Sequence, residues 1–216
     1  MDKKEALKIV QESGSELGNL PDEFKKDKDV VYAAMEEDGD NLDFADDSLK
    51  KDKKFILPLV KDFTGILRHA DDSLKSDKEV VLAAVINDAS NFRFADDSLK
   101  KDKEIVLIAL KQDGRALRCA DDSFKKDKEI VLEAVKSEGS SLEFADDSLK
   151  KDKEIVLEAV KNDGSALEYA DESLKKDKEI VLIAEKMMVL LLNTLMIVSR
   201  KTNRLSLRQS KLIMVL

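Results

Sequence analysis

The chain has 216 residues, of which 39% are charged, 43% are hydrophobic and 5% are aromatic, and its formal net charge at pH 7 is −8. This acidic balance excludes a general binder of the phosphate backbone, which needs a concentrated excess of lysine and arginine, so we expect no nucleic-acid partner. The single cysteine, Cys119, excludes an intrachain disulfide, and with the single histidine, His69, it cannot complete a Cys/His zinc site. The N-terminus lacks the roughly 7–15 apolar residues of a secretory signal, and we expect a cytoplasmic protein.

A 25-residue repeat runs through the chain with little interruption. Its most constant phrase reads Ala-Asp-Asp-Ser-Leu-Lys-Lys-Asp, and successive copies begin at Ala45, Ala70, Ala95, Ala120, Ala145 and Ala170. A weaker copy precedes them, beginning at Leu20 and Pro21. A fixed period of this length is typical of stacked helical arrays. We therefore predict one array over residues 1–186, with about seven units of which the first is degenerate.

Each unit begins with a segment whose apolar residues have helical spacing. In residues 152–161 these are Ile155, Val156, Leu157, Ala159 and Val160. They cover an arc of roughly 200° on a helical wheel, so neighbouring elements must cover the helix on more than one side. We expect Asp152 to cap this helix and Gly164 to end it in the left-handed conformation. The same role is predicted for Gly39, Gly114 and Gly139.

A shorter second helix is predicted directly after the glycine. The segments Ser140-Ser141-Leu142-Glu143 and Ser165-Ala166-Leu167-Glu168 resemble capping boxes, in which serine caps a helix and glutamate bonds back to the serine amide. These helices are expected to end near Lys150 and Lys175. The first would turn three apolar side chains to one side, Leu142, Ala145 and Leu149. A unit of this size cannot bury its own apolar surface, so the sequence predicts an all-α fold, an α-solenoid of 25-residue helix-turn-helix repeats.

One unit departs from the pattern. Pro58 falls inside its long helix, and the segment Asp62-Phe63-Thr64-Gly65 moves the glycine by one place. Because proline removes a hydrogen bond and clashes with the preceding turn, we expect a kinked or shortened helix there.

The repeat resembles the tandem-repeat family called domain of unknown function 4116. Its units combine an acidic-lysine start, Ile-Val-Leu, Ala-Val-Lys, a glycine turn and Ala-Leu-Glu-Tyr-Ala, and residues 152–170 follow this order throughout. The resemblance covers roughly residues 20–186. It implies tandem helical repeats and brings with it no established activity, cofactor or substrate.

The register of the repeat is lost in the tail, residues 187–216. Read one base out of frame, the codons of Met187, Met188 and Val189 give Asp-Gly at positions 188 and 189, where the repeat requires them. The residue that the shifted frame must specify across the codons of Asn193 and Thr194 also agrees with the repeat. The residue that it specifies across the codons of Asn203 and Arg204 does not. We therefore expect the tail to be the product of a frameshift, caused by loss of one thymine in the codon that now specifies Glu185.

A C-terminal membrane anchor is an alternative explanation of the tail. Residues 187–198 are apolar except for Asn193 and Thr194, and Arg200 and Lys201 follow. This stretch is shorter than the roughly 20 residues that span a bilayer, and Glu185 and Lys186 precede it. The frameshift is favoured, and a membrane partner is not expected.

No catalytic set emerges from the candidate residues. The phrase Asp-Asp-Ser-Leu-Lys-Lys-Asp lacks the central glycine and closing glutamate of a calcium loop, so we expect no metal and no cofactor. His69 and Cys119 occupy the same repeat position as Phe44, Phe94 and Phe144, which predicts packing at the core edge for both. We therefore predict that the protein is not an enzyme.

A column of variable residues is the strongest candidate for a binding site. Its members stand 25 residues apart, at Gly18, Asp43, Arg68, Arg93, Arg118, Glu143 and Glu168. In a stacked array equivalent positions align along one face, so the three arginines and two glutamates form a charge-graded stripe. Such a stripe is suited to an acidic peptide or protein partner.

The favoured function is a non-enzymatic helical-repeat scaffold for protein or peptide binding. One alternative is a truncated fragment of a longer repeat protein with no independent function, and another is a repeat domain with a C-terminal membrane anchor. For the variable column itself, neutral drift on a solvated face is the favoured explanation over a selected site.

Overall fold

The computed structural model describes residues 1–190 and Asn193, and all regular secondary structure in that part of the chain is helical. Long α-helices recur every 25 residues and are named α1 to α8 in chain order. They span Lys3–Glu12, Lys28–Met35, Lys53–Asp62, Lys78–Asn87, Lys103–Gln112, Lys128–Ser137, Lys153–Asn162 and 178–190. The predicted all-α solenoid is confirmed. The tail beyond residue 190, Asn193 excepted, lies outside the described residues.

The aspartate before each long helix starts that helix. Asp152 has an extended backbone, and its Oδ1 accepts hydrogen bonds from the amides of Glu154, at 2.9 Å, and Ile155, at 3.4 Å. In α7, Ile155 and Val156 are fully buried, as the helical spacing predicts. Complete burial of one such side chain contributes about 1.5–3 kcal/mol, so the core rather than the helix caps supplies most of the stability.

The four glycines that were predicted to end long helices do not serve the predicted purpose. Among the described residues only Gly65 has a positive φ, at 75°, so the left-handed role predicted for Gly39, Gly114, Gly139 and Gly164 is wrong. A Cβ atom built on Gly164 would lie 2.5 Å from the carbonyl oxygen of Ala184. Gly114 and Gly139 meet the equivalent alanine carbonyl of the next long helix. At these junctions glycine permits the close approach of the next helix.

The predicted second helix is two shorter pieces. A 3-10 helix follows each of the helices α1 to α7. These 3-10 helices span Gly14–Asn19, Gly39–Phe44, Ile66–Arg68, Ala89–Phe94, Gly114–Cys119, Gly139–Phe144 and Gly164–Tyr169. Ala145 is extended and interrupts the helix predicted to run to Lys150. Each unit ends in a single turn. This turn is helical in five units, at Asp22–Lys25, Asp47–Lys50, Asp72–Lys75, Leu99–Lys101 and Asp122–Lys125.

The capping boxes predicted for the second helix are also wrong. Asp163 ends α7 and caps the following 3-10 helix, because its Oδ1 accepts a hydrogen bond of 2.9 Å from the Ser165 amide. Glu138 occupies the equivalent position one unit earlier and accepts a hydrogen bond of 3.0 Å from the Ser140 hydroxyl. Serine therefore stands inside the 3-10 helix, and the glutamate three residues later is not used as a cap.

The unit with Pro58 keeps its long helix. Helix α3 has ten residues, as helices α1 and α4 have, so the predicted shortening does not occur. The irregularity appears after the helix, where Gly65 takes the left-handed conformation and the 3-10 helix shrinks to Ile66–Arg68. The buried residues Phe55, Ile56, Leu59 and Val60 hold α3 in the core despite the lost backbone donor.

The constant residues of the repeat join neighbouring units. The Lys153 ammonium lies 2.9 Å from Asp177 and 2.8 Å from Glu179, at the start of the next long helix. The Asp171 amide donates a hydrogen bond of 3.0 Å to the Lys150 carbonyl of the preceding unit. Equivalent lysine–acid pairs begin at Lys3, Lys28, Lys53, Lys78, Lys103 and Lys128. The phrase Asp-Asp-Ser-Leu-Lys-Lys-Asp is therefore a structural junction.

Candidate functional site

The predicted stripe lies on the exposed side of the 3-10 helices. Those of successive units pack against one another, so their exposed residues form one continuous face, here called the 3-10 face. All five predicted partner-binding residues are exposed on it, at Arg68, Arg93, Arg118, Glu143 and Glu168. The structure thus places the variable column on one surface and the constant residues at the junctions.

Arg68 is committed to contacts within the array. Its guanidinium forms an ion pair with Asp40 of the preceding unit, and its Nε lies 2.7 Å from Nε2 of His69. His69 is buried, with Nδ1 2.6 Å from the Asp43 carboxylate and Nε2 3.1 Å from that of Asp40. The hydrogen bond from His69, followed by that from Arg68, lowers the pKa of the Asp40 carboxyl. This cluster fastens two units together.

Burial of His69 at the core edge was predicted, but its two carboxylate partners were not. The detectable signal was the presence of Asp40 and Asp43 one unit before the only histidine, at positions where later units carry serine, arginine or glutamate.

Arg93 and Arg118 are the uncommitted cations of the 3-10 face. Neither guanidinium forms an ion pair with a carboxylate of the described residues, in contrast to Arg68. The Arg93 guanidinium lies over the ring of Phe94, 5.2 Å from its centroid. Stacking of this kind leaves the edge of a guanidinium free to donate hydrogen bonds.

A cleft opens beside these two arginines and is here called the Cys119 cleft. It has a volume of about 360 Å³, and its lining includes Phe92, Arg93, Arg118, Cys119 and Phe144. Cys119 stands where the units on either side carry phenylalanine, so the lining has a smaller side chain at this position. The only indication in the sequence was a cysteine at a repeat position where most units carry an aromatic residue.

A second depression adjoins the Cys119 cleft and shares Arg93, Arg118 and Cys119 with it. Its volume is about 430 Å³, and its lysines are already neutralised by neighbouring acids. The ion pairs are Lys100 with Asp97 at 3.0 Å, Lys101 with Asp121 at 3.7 Å and Lys125 with Asp122 at 2.8 Å. The positive charge available to a partner is therefore that of the two arginines.

The same depression recurs two units later with the opposite charge. Glu168 and Tyr169 stand there in place of Arg118 and Cys119, in a depression of about 360 Å³. A hydrogen bond to the Glu168 carboxylate raises the pKa of the Tyr169 hydroxyl. The charge gradient predicted along the column is thus also a difference between two depressions lined by equivalent repeat positions.

Arg115 is a lining residue that the sequence analysis missed. Its guanidinium lies 3.2 Å from Glu138 and 3.8 Å from Asp113, so its charge is shared with two acids at the mouth of the Cys119 cleft. Its own column also varies, through Ser15, Asp40, Gly65, Ser90, Ser140 and Ser165, and this variation was the available signal.

The side chains around the Cys119 cleft include arginines, aromatic rings and small residues. Within the described part of the chain, no group of three or more histidine, cysteine or acidic side chains is arranged to hold a metal ion. Arginine, aromatic and small side chains can pair with anions and bury apolar groups. None of the helices described by the structure combines the length and hydrophobicity that crossing a bilayer requires.

The repeat also matches a known family model. The model of the family described as Domain of unknown function (DUF4116) matches seven overlapping stretches, residues 2–50, 27–75, 52–100, 77–125, 102–150, 127–175 and 152–188. Each match begins at an aspartate that caps a long helix, so sequence and structure divide the chain at the same place. No curated protein and no solved structure matches the chain.

Proposed function

We propose that this chain, which belongs to the family described as Domain of unknown function (DUF4116), is a non-enzymatic cytoplasmic scaffold. It binds an acidic protein or peptide on its 3-10 face. The partner is neither a nucleic acid nor a membrane. Arg93 and Arg118 supply the attraction, and the glutamates further along the stripe repel a partner placed in the wrong register.

One observation carries this proposal. The chain has a net charge of −8, and its junction lysines are paired with acids of the next unit. Two arginines on the exposed 3-10 face nevertheless have no carboxylate partner within the part of the chain that the structure describes. A guanidinium recognises a carboxylate through two parallel hydrogen bonds, which gives both affinity and orientation. Unpaired arginines at variable positions therefore support recognition of an acidic ligand.

Selection from a peptide library tests the proposal. A display library of random ten-residue peptides would be selected on the full chain and on the double variant Arg93→Glu, Arg118→Glu. We expect acidic peptides to be enriched by the full chain and lost with the variant, since like charges repel across an interface. The matched control is Lys111→Glu, because Lys111 is exposed on α5, away from the cleft and without an ion pair among the described residues.

Two results would contradict the proposal. One is enrichment of the same peptides by the double variant and by the full chain, which would remove the arginines from the binding site. The other is the absence of any enriched acidic peptide on the full chain. Circular dichroism on all variants would confirm that each keeps its helical fold.

A further inference from the structure

Building on the proposed binding of acidic partners, we infer that the Cys119 cleft is a pocket for one aromatic side chain of that partner. The ring enters between Phe92 and Phe144, and carboxylates on either side of it in the ligand pair with Arg93 and Arg118. The recognised ligand is thus a short acidic peptide with a central aromatic residue.

The cleft has the size and walls that a ring requires. A buried apolar cavity of about 150 Å³ is enough to bind benzene, and the Cys119 cleft, open on one side, has about 360 Å³. Phe92 is buried, Phe144 is half-buried, and Ala116 adds a small buried side chain to the lining. Aromatic pairs gain from edge-to-face or offset contact in addition to the area that they bury.

The repeat itself shows that this position accepts an aromatic ring. Units before and after carry Phe94 and Phe144 where Cys119 stands, and both rings are half-buried against the core. At Cys119 the chain leaves the space of its own ring open. A ligand ring can occupy the same space and contact the same neighbours.

The charges at the rim select the residues around that ring. Arg93 and Arg118 have no carboxylate partner among residues 1–190, whereas Arg115 is shared between Asp113 and Glu138. Asp113 repels one part of an acidic ligand, which favours a carboxylate on the side of Arg93 and Arg118. The hydrogen bonds between an arginine and a carboxylate are stronger than those between neutral groups. The flanking acids therefore add affinity as well as register.

Three fluorescein-labelled peptides test this inference on the unchanged chain by fluorescence anisotropy. The first reads Gly-Glu-Asp-Phe-Glu-Asp-Gly, the second replaces Phe with Ala, and the third replaces the acids with their amides. We expect each replacement to weaken binding by about tenfold or more, because one removes the buried ring and the other the charged hydrogen bonds.

Variants of the chain locate the pocket. Cys119→Phe restores the ring of the other units and fills the cleft, so we expect it to weaken binding of the Phe peptide about tenfold while leaving that of the Ala peptide unchanged. Cys119→Ser keeps the size of the side chain and is expected to retain binding within about twofold. Arg118→Gln should weaken both acidic peptides and spare the amide peptide.

The outcomes separate this inference from the proposal on which it rests. Equal binding of the Phe and Ala peptides, with Arg118→Gln still weakening both, would overturn the aromatic pocket and leave the acidic partner in place. Equal binding of the acidic and amide peptides would overturn the role of the arginines. Tighter binding of a labelled single-stranded DNA 12-mer than of any peptide would overturn both.

Discussion

Asp152 joins two units of the array through the two oxygens of one carboxylate. Its Oδ1 accepts a hydrogen bond of 2.9 Å from an amide in the first turn of α7, and its Oδ2 lies 2.7 Å from the ammonium of Lys128 in the preceding unit. The hydrogen bond from Lys128 is the main reason that the pKa of the Asp152 carboxyl is lowered. The same residue thus starts a helix and fixes its position against the previous one.

Replacing Asp152 separates these two contributions. We expect Asp152→Ala to lower the free energy of unfolding by about 0.5–2 kcal/mol, because it removes the helix cap. Asp152→Asn should lower the free energy of unfolding less, because asparagine caps a helix as well as aspartate does and the substitution removes only the charge. Urea denaturation followed by circular dichroism measures both. The control is Asp147→Asn, a nearby exposed aspartate that caps no helix, and an equal effect of all three changes would contradict this account.

The lysine–aspartate junctions predict how stability depends on pH. The hydrogen bond that Lys53 donates to Asp77 lowers the pKa of the Asp77 carboxyl below its ordinary value of 3.8 and raises the pKa of the Lys53 ammonium above 10.5. The aspartate contribution is therefore present above pH 3.8 and is lost as pH falls through the lowered value. The lysine contribution is present below pH 10.5 and is lost as pH rises through the raised value.

We accordingly expect a flat free energy of unfolding between about pH 5 and pH 9, with losses on both sides. Urea titrations across this range would measure it, and Lys53→Gln is the matched variant because it removes one junction. Its loss of stability relative to the full chain should be largest near neutral pH and shrink at both extremes. A difference that stays constant down to about pH 2 would rule out the ion pair as its cause.

Two glycines fix the backbone for different reasons, and substitution can tell them apart. A Cβ on Gly139 would clash with the Ala159 carbonyl and lie 2.9 Å from the Asp163 amide, whereas a Cβ on Gly65 meets nothing within 4 Å. Gly65 instead has a φ of 75°. We expect Gly139→Ala to cost about 1–3 kcal/mol through overpacking and Gly65→Ala about 1–2 kcal/mol through backbone strain.

Asparagine distinguishes the two mechanisms because it tolerates the left-handed conformation better than alanine does. Gly65→Asn should recover part of the stability lost in Gly65→Ala, and Gly139→Asn should be at least as unstable as Gly139→Ala. Urea midpoints of the four variants give the comparison. Recovery at Gly139 rather than at Gly65 would contradict the structural assignment.

The long helices were predictable because their signals are strong and repeated. An aspartate cap at Asp152 and four buried apolar positions define α7, and the structure places the helix at Lys153–Asn162. The 3-10 helices were not predictable from periodicity, since six residues such as Gly164–Tyr169 complete too few turns to separate a period of three from 3.6. The alanine carbonyl that requires Gly164 comes from the next unit and leaves no local signal.

The candidate site was predicted in position but not in detail. Counting in steps of 25 residues placed Arg93 and Arg118 in one column, and the structure brings them to the rim of one cleft. Counting alone could not show that Arg68 is held by Asp40, because that contact depends on how far one unit is displaced against the next. The cleft at Cys119 likewise depends on side chains from neighbouring units.

The different surroundings of Arg68 and Arg118 predict opposite effects of the same substitution. Arg68→Ala removes the ion pair with Asp40 and the contact with buried His69, so we expect a lower urea midpoint. Arg118→Ala should change the free energy of unfolding by no more than about 0.5 kcal/mol, because Arg118 is exposed and unpaired among the described residues. In the peptide assay the order reverses, and Arg118→Ala is the damaging change. A stability loss with Arg118→Ala equal to that with Arg68→Ala would contradict this division.

The out-of-frame repeat in the tail predicts what a single restored base would do. Val156 of α7 is fully buried and Leu157 half-buried, whereas their counterparts on α8, Val181 and Leu182, are half-buried and 65% exposed. With GAA and AAA as the codons of Glu185 and Lys186, restoring the thymine turns residues 185–189 into Val-Lys-Asn-Asp-Gly, the sequence of residues 160–164. A unit that packs on α8 would cover both side chains, and full burial of each contributes up to about 1.5–3 kcal/mol.

We therefore expect the restored chain to unfold at a higher urea concentration and to have more helix than the present one. Glu185→Val without the frame change is the matched control, because it supplies the apolar side chain alone. Resequencing the DNA and the transcript from the Lys178 codon onward shows which frame the source carries. A midpoint of the restored chain no higher than that of the control would mean that the out-of-frame residues do not form a unit. Since stacked units stabilise one another mainly through nearest-neighbour contact, the gain should be largest at α8 and weaken toward α1, which amide hydrogen exchange would resolve.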